Sequence, residues 1–241
     1  MYGPRLRTLS ALTAVTMVTG YALAAFYAPM DADQGFMQKI FYLHVPMAIV
    51  ALCGFVFGGI CAVQHLRTGD GKWDLRSYVA IHISVILGLG VLVTGAIWAR
   101  ASWGHWWVWD EPTLVSFLII FLLYATYTPL RFSIEDRERQ SRYASVFAIT
   151  AGAFVPLNFM AVRAATSLVH PRTFDSADNL PGAMRGAFLA CLLGMALMYV
   201  TLFHYEIAHK QTTARLRALK RRLGGDEALR ARRSAAPELT A

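Results

Sequence analysis

Six runs of mainly apolar residues dominate this chain, near positions 10–29, 43–65, 79–99, 113–130, 143–161 and 184–205. A helix needs roughly 20 such residues to cross the hydrocarbon of a bilayer, where no water is available to satisfy backbone N–H and C=O groups. The runs consume most of the 241 residues and leave no stretch long enough for a soluble core. Charged residues make up only 16% of the chain and hydrophobic ones 56%, against about 25% charge in an ordinary soluble domain. The sequence therefore predicts an all-α, polytopic membrane protein with six transmembrane helices. The first run follows Arg5 and Arg7 and contains Ala22 and Ala24, the outline of a cleaved leader. Its apolar stretch of about 20 residues is too long for the roughly 7–15 of a leader core, so it reads as helix one.

Lys and Arg then set the orientation, because positive loops are retained in the cytoplasm. Two precede the first helix, three lie near 66–78 (Arg67, Lys72, Arg76), four near 131–142 and nine after 206. The other side holds five: Lys39, Arg100, Arg163, Arg172 and Arg185. Both termini are expected on the cytoplasmic side. The formal charge of +8 follows from this topology and calls for no nucleic acid. Residues 1–206 form one six-helix membrane domain with distinctive outer loops at about 100–112 and 162–183, and residues 207–241 a basic cytoplasmic tail. The last helix is expected to continue into the tail until Gly224 and Gly225 stop it. Cys53, Cys61 and Cys191 fall inside apolar runs without a CxxC pair and read as small core residues.

The densest chemical signal is WGHWWVWD, Trp103 to Asp110. Five of the six tryptophans (Trp98, Trp103, Trp106, Trp107, Trp109) lie within twelve residues. An interfacial belt would spread its indoles over several helix ends on both faces, so the clustering favours a ligand platform. If the segment is helical, Trp103, Trp106, Trp107 and Asp110 share one face, an aromatic shelf suited to a flat apolar ligand. Asp110, with Glu111 and Pro112, also reads as an ordinary helix start.

A ligand containing iron needs imidazoles on the same side. His44, in FYLHVP, stands where Pro46 suits a first helical turn, and the positive end of the helix dipole favours a neutral ring there. His170 precedes Pro171, which biases it to extended backbone. His105 lies inside the Trp motif as a spare ligand or an interfacial residue, and His65, His82, His204 and His209 map to the inner side. Arg100, Arg163 and Arg172 are outer cations suited to carboxylate partners such as propionates.

Taken together, WGHWWVWD, FYLHVP, the outer histidine in SLVHPR and the six spans resemble the WWD-motif haem-handling proteins of cytochrome c assembly. The likeness is greatest to the haem exporter protein C (CcmC) family and covers about residues 30–205. It implies a transiently bound haem b at the periplasmic face of the cell inner membrane, with His44 and His170 as axial ligands. Trp103, Gly104, Trp106, Trp107, Trp109 and Asp110 would form the platform beside the ring, and Arg100, Arg163 and Arg172 would be propionate partners. It further implies transfer to a periplasmic haem chaperone, alongside ABC transporter subunits and a small membrane subunit of the maturation complex. Such a protein is a loading and presentation module rather than an enzyme, beyond lyase-like assistance of haem attachment to the chaperone. One departure stands out: after WWVWD the family pattern has a small residue and then a basic one, where this chain has Glu111 and Pro112. Two other readings remain, a membrane haem oxidoreductase passing electrons and a cytochrome c synthetase-type WWD protein. A permease is a third, which predicts ionisable or broken-helix features at mid-membrane; Gly88, Gly90 and Gly95 read more simply as close helix packing.

Overall fold

The computed structural model describes residues 3–166, 169–170, 180, 182–222 and 224. Among these the chain is helical and contains no strand. The helices are α1 (Pro4–Ala22), α2 (Phe41–Thr68), α3 (Gly71–Trp103), α4 (Pro112–Ala125), α5 (Tyr127–Phe132), α6 (Arg137–Ala164) and α7 (Gly182–Arg222). A π turn, Leu23–Tyr27, extends α1, and a 3-10 turn, Phe36–Ile40, leads into α2. Six segments are long and apolar enough to cross a membrane, α4 and α5 together making the fourth. All six expected spans are present, and the protein is a multi-pass membrane protein.

Local signals place the ends. Asp70 caps α3 by accepting from the Lys72 N–H at 2.9 Å, and Gly69 (φ 67°) ends α2 in the left-handed conformation that glycine adopts without steric penalty. Helix α7 runs 41 residues, about 60 Å at 1.5 Å per residue and twice the roughly 30 Å hydrocarbon thickness. The expected continuation into the tail is thus present as far as Arg222, with Gly224 at φ 87° just beyond. The remainder of 207–241 lies outside the described residues.

Helix α2 is the central element. One side of it packs with α3, α4 and α6 around Phe55, Ile81, Tyr124 and Ala148, where the Phe55 and Tyr124 rings stack at 3.8 Å. Its other side packs with α3 and α7 around Met47, Val79 and Met195, and with α1 and α7 around Tyr42, Phe188 and Cys191. Small residues let backbones approach closely, as lipid-embedded helices require: a Cβ on Gly59 would lie 3.1 Å from the Ala148 carbonyl oxygen and 3.4 Å from the Gly152 Cα. Hydrogen bonds Ser10–Tyr205 (3.0 Å) and Thr13–Thr201 (2.7 Å) bind the first half of α1 to the middle of α7. The start of α1 and the described end of α7 therefore lie at one end of the bundle, the end of the 66–78 and 131–142 loops, and the Trp-rich segment lies at the other.

Candidate functional site

At the Trp-rich end, His44 on α2 is aimed against α3. Its Nδ1 lies 2.9 Å from Thr94 Oγ1, whose own hydroxyl is within hydrogen-bond reach of the Gly90 carbonyl at 2.8 Å and the Val91 carbonyl at 3.2 Å. A threonine hydroxyl has one hydrogen. With it directed to a backbone carbonyl, Oγ1 accepts from Nδ1–H, and the lone pair is left on Nε2, the state a metal ligand needs. Gly95 makes the room: a Cβ there would stand 3.0 Å from His44 Cε1. The ring thus rests in a cradle cut into α3. Pro46 sits inside α2 rather than in its first turn, because the 3-10 turn Phe36–Ile40 carries the helical path upstream of Phe41.

The Trp motif does not form the helical shelf expected of it. Helix α3 stops at Trp103, where Gly104 takes φ 79° and donates its N–H to the Arg100 carbonyl at 3.2 Å; a glycine in the left-handed region ends a helix in this way. Residues 104–111 run as turns and irregular chain. Consequently the indoles divide. Trp98, Trp103 and Trp107 face the interior and line a cavity, whereas Trp106 and Trp109 are 61% and 71% exposed. Gly104, His105 and Asp110 are exposed as well. The Trp107 Nε1 is buried with no hydrogen-bond partner among the described residues. Trp98 donates its Nε1–H to Gln34 Oε1 at 3.0 Å, tying α3 to the turn before α2.

The cap of α4 is Glu111, not Asp110. Pro112 takes the first helical position, where its missing N–H costs nothing, and that holds the preceding residue in extended backbone (φ −85°, ψ 111°). Glu111 is fully buried. Its Oε1 accepts from the Thr113 N–H at 3.4 Å, and its Oε2 accepts from the backbone N–H groups of Val169 (2.8 Å) and His170 (3.2 Å). The segment bearing His170 is so brought against the start of α4. The His170 ring packs edge-on against Trp98 and Trp103, with centroids 6.0 and 6.4 Å away.

Two cavities, of about 250 and 500 Å³, share His44, Val45, Trp98 and His170 in their walls. The first reaches between α2, α3, α4 and α6 over apolar side chains such as Leu52, Phe117 and Val155. The second opens beneath the 29–38 turn and is more polar, bordered by Asp31, Gln34 and Gln38. Together they have the size of a cofactor site, roughly 300–1,000 Å³. Among the described residues no group of three or more His, Cys, Asp or Glu stands together. The two imidazoles suit a metal that brings equatorial ligands of its own.

The candidate cations separate. Arg163 lines the first cavity, with its guanidinium 5.4 Å from the Phe159 ring centroid. Arg100 is exposed and donates from Nη1 to the Gly104 carbonyl, supporting the end of α3. Arg172 lies outside the described residues. Sequence reasoning missed Thr94 as the orienting partner of His44 and took Gly95 for helix packing alone. A polar–glycine pair inside an apolar run, three residues before Trp98, was the available signal. Gln34 and Gln38 carried no pattern.

Against known proteins, a family model described as "Heme exporter protein C" matches residues 1–223. The chain is 27% identical over 215 residues to a Rhodobacter capsulatus protein of that name, covering 88% of each. It is 29% identical to one from Paracoccus denitrificans, covering 86% of each. It is 30% identical to one from Bradyrhizobium diazoefficiens, covering 81% of this chain and 73% of the other.

Proposed function

This chain belongs to the Heme exporter protein C family, and from that premise we propose that it binds haem b transiently between His44 and His170 and presents it to a haem chaperone in cytochrome c maturation. The family handles haem for cytochrome c biogenesis and is of a transport type rather than an enzyme in the usual sense. One observation carries the reading: His44 and His170, 126 positions apart in the sequence, border the same two cavities beside Trp98.

Haem, as the cargo, brings an iron with two axial positions open to imidazole. His44 offers Nε2, held in that tautomer by Thr94, and His170 comes from the Glu111-bound segment. Trp98, Trp103 and Trp107 supply apolar walls, with Trp107 Nε1 a spare donor inside them. Arg163 is the described cation placed for a propionate. Gly104, Trp106, Trp109 and Asp110 lie on the outward side of the same segment, and we assign them to the surface that meets the acceptor. A site shaped by turns and open to one end of the bundle suits release; a permanent redox cofactor is more often sealed between helices.

The Lys and Arg asymmetry supports a cytoplasmic location for both termini and a periplasmic one for the haem site, in a cell inner membrane. The cytoplasmic end of the bundle would then face ABC transporter subunits and the small membrane subunit. The test is the absorption spectrum of the detergent-purified protein, oxidised and reduced, with a pyridine haemochrome assay. A low-spin b-type spectrum that becomes high-spin or disappears in His44→Ala and in His170→Ala is expected. Protein that takes up no haem, or variants with unchanged spectra, would overturn the axial assignment.

A further inference from the structure

We propose that Glu111 is the positioning residue for His170: its buried carboxylate fixes the backbone from which that imidazole reaches the cavity. The inference rests on the reading of His170 as an axial ligand, and it gives a role to a buried carboxylate that follows directly on the Trp motif.

Helix α6 ends at Ala164, and His170 stands in irregular chain beyond it. Val169 and His170 are not helical, and Pro171 has no N–H to contribute. Glu111 supplies what regular structure would have supplied. One oxygen reaches the Thr113 N–H at the start of α4, and the other takes the adjacent N–H groups of Val169 and His170, so a single side chain joins the two segments. Hydrogen bonds to a carboxylate are about twice as strong as those between neutral groups. Glu111 is itself wholly buried, which makes its acceptors costly to leave unused. Two successive N–H groups pinned to one oxygen set the peptide planes on both sides of the Val169 Cα and hence the position of the His170 N and Cα. The remaining freedom is the φ of His170, narrowed because a proline follows it, and two side-chain torsions, restricted by Trp98 and Trp103. Groups that orient a metal ligand from outside its coordination sphere typically change metal affinity about 10–100-fold when removed.

The experiment uses the full chain in detergent, as wild type, Glu111→Ala and Glu111→Gln, with two readouts. The first is amide exchange in protein without haem. Exchange at Val169 and His170 should be at least about tenfold faster in Glu111→Ala, and intermediate in Glu111→Gln, which keeps one acceptor oxygen. The second is the haem spectrum. Glu111→Ala should turn the low-spin spectrum into a mixture with high-spin haem that added imidazole restores to low-spin, with Glu111→Gln between it and wild type. Unchanged exchange and an unchanged spin state in either variant would overturn the proposal, and Glu111→Gln decides it if Glu111→Ala fails to fold. A wild type without haem would overturn the functional reading instead, and amide exchange would still decide whether Glu111 holds the segment.

Discussion

Helix α3 meets two different environments at its two ends. Near its start, Asp74 receives two hydrogen bonds from Arg131, at 2.7 and 2.6 Å, and Arg131 also reaches the Tyr127 hydroxyl at 3.2 Å. Tyr78 lies under that guanidinium at 5.1 Å and under Lys210 at 4.6 Å, while Lys210 pairs with Glu206 at 3.0 Å. Charges on α3, α5 and α7 thereby partner one another, and this end is tied shut. Near its finish, the same helix borders two cavities, and Trp107 Nε1 and Gln38 Oε1 are buried without a partner among the described residues. The lesson is one of division of labour. The charges of Asp74 and Arg131 at the first end are matched within the protein and hold the bundle, while the second end keeps open cavity walls with polar atoms facing them.

The largest effect that tests this contrast is at the closed end. Arg131→Ala leaves Asp74 without its bidentate partner and should cost roughly 3–5 kcal/mol in thermal or denaturant unfolding, the usual loss for half of a buried pair. The spin state of haem in the folded fraction should not change; a change there would mean the two ends are one coupled unit.

Thr94→Val acts at the open end. It removes the acceptor that sets the His44 tautomer and should weaken haem binding roughly 10–100-fold by titration, while unfolding shifts by about 0.5–1.5 kcal/mol for one lost hydrogen bond. Equal affinity in this variant would show that the cavity, not the histidine's second hydrogen bond, governs ligation.

Gly95→Ala should have a smaller effect, since a Cβ 3.0 Å from His44 Cε1 obliges the ring to move by a few tenths of an ångström. A loss below about tenfold in affinity is expected, as a full 1 Å misplacement of a reacting group costs about a hundredfold. A still larger loss would place the cradle above Thr94 in importance.

Smallest of all, Trp106→Phe and Trp109→Phe should leave haem affinity unchanged and stability within about 0.5 kcal/mol, as for exposed positions free of special features. Trp107→Phe should weaken binding by comparison. If the three variants behave alike, the inward and outward halves of the motif are not distinct.

Much of the fold was legible because a bilayer imposes a blunt rule: about twenty apolar residues per crossing, with caps and glycines at the ends. The six spans and the continuation of the last helix towards Gly224 follow from it. Within the site, His44 and His170 were recognisable as residues on a shared side. The conformation between Trp103 and Asp110 was not, since helical spacing in WGHWWVWD suggested a shelf that Gly104 prevents. Glu111 was readable only as an oddity of charge, because its partners, Val169 and His170, lie 58 and 59 positions away.

By itself, then, the amino-acid sequence determined that this chain has six segments able to cross a membrane, that the last helix runs on into the basic tail, and which residue types are available on the Trp-rich side. Hydropathy and capping are local, and a local rule needs only neighbours in the chain. The tertiary structure alone decided which indoles turn inward, that Thr94 and Gly95 hold His44, and that Glu111 carries His170. Each of those depends on a hydrogen bond or a close contact between distant segments, and only packing brings such segments together.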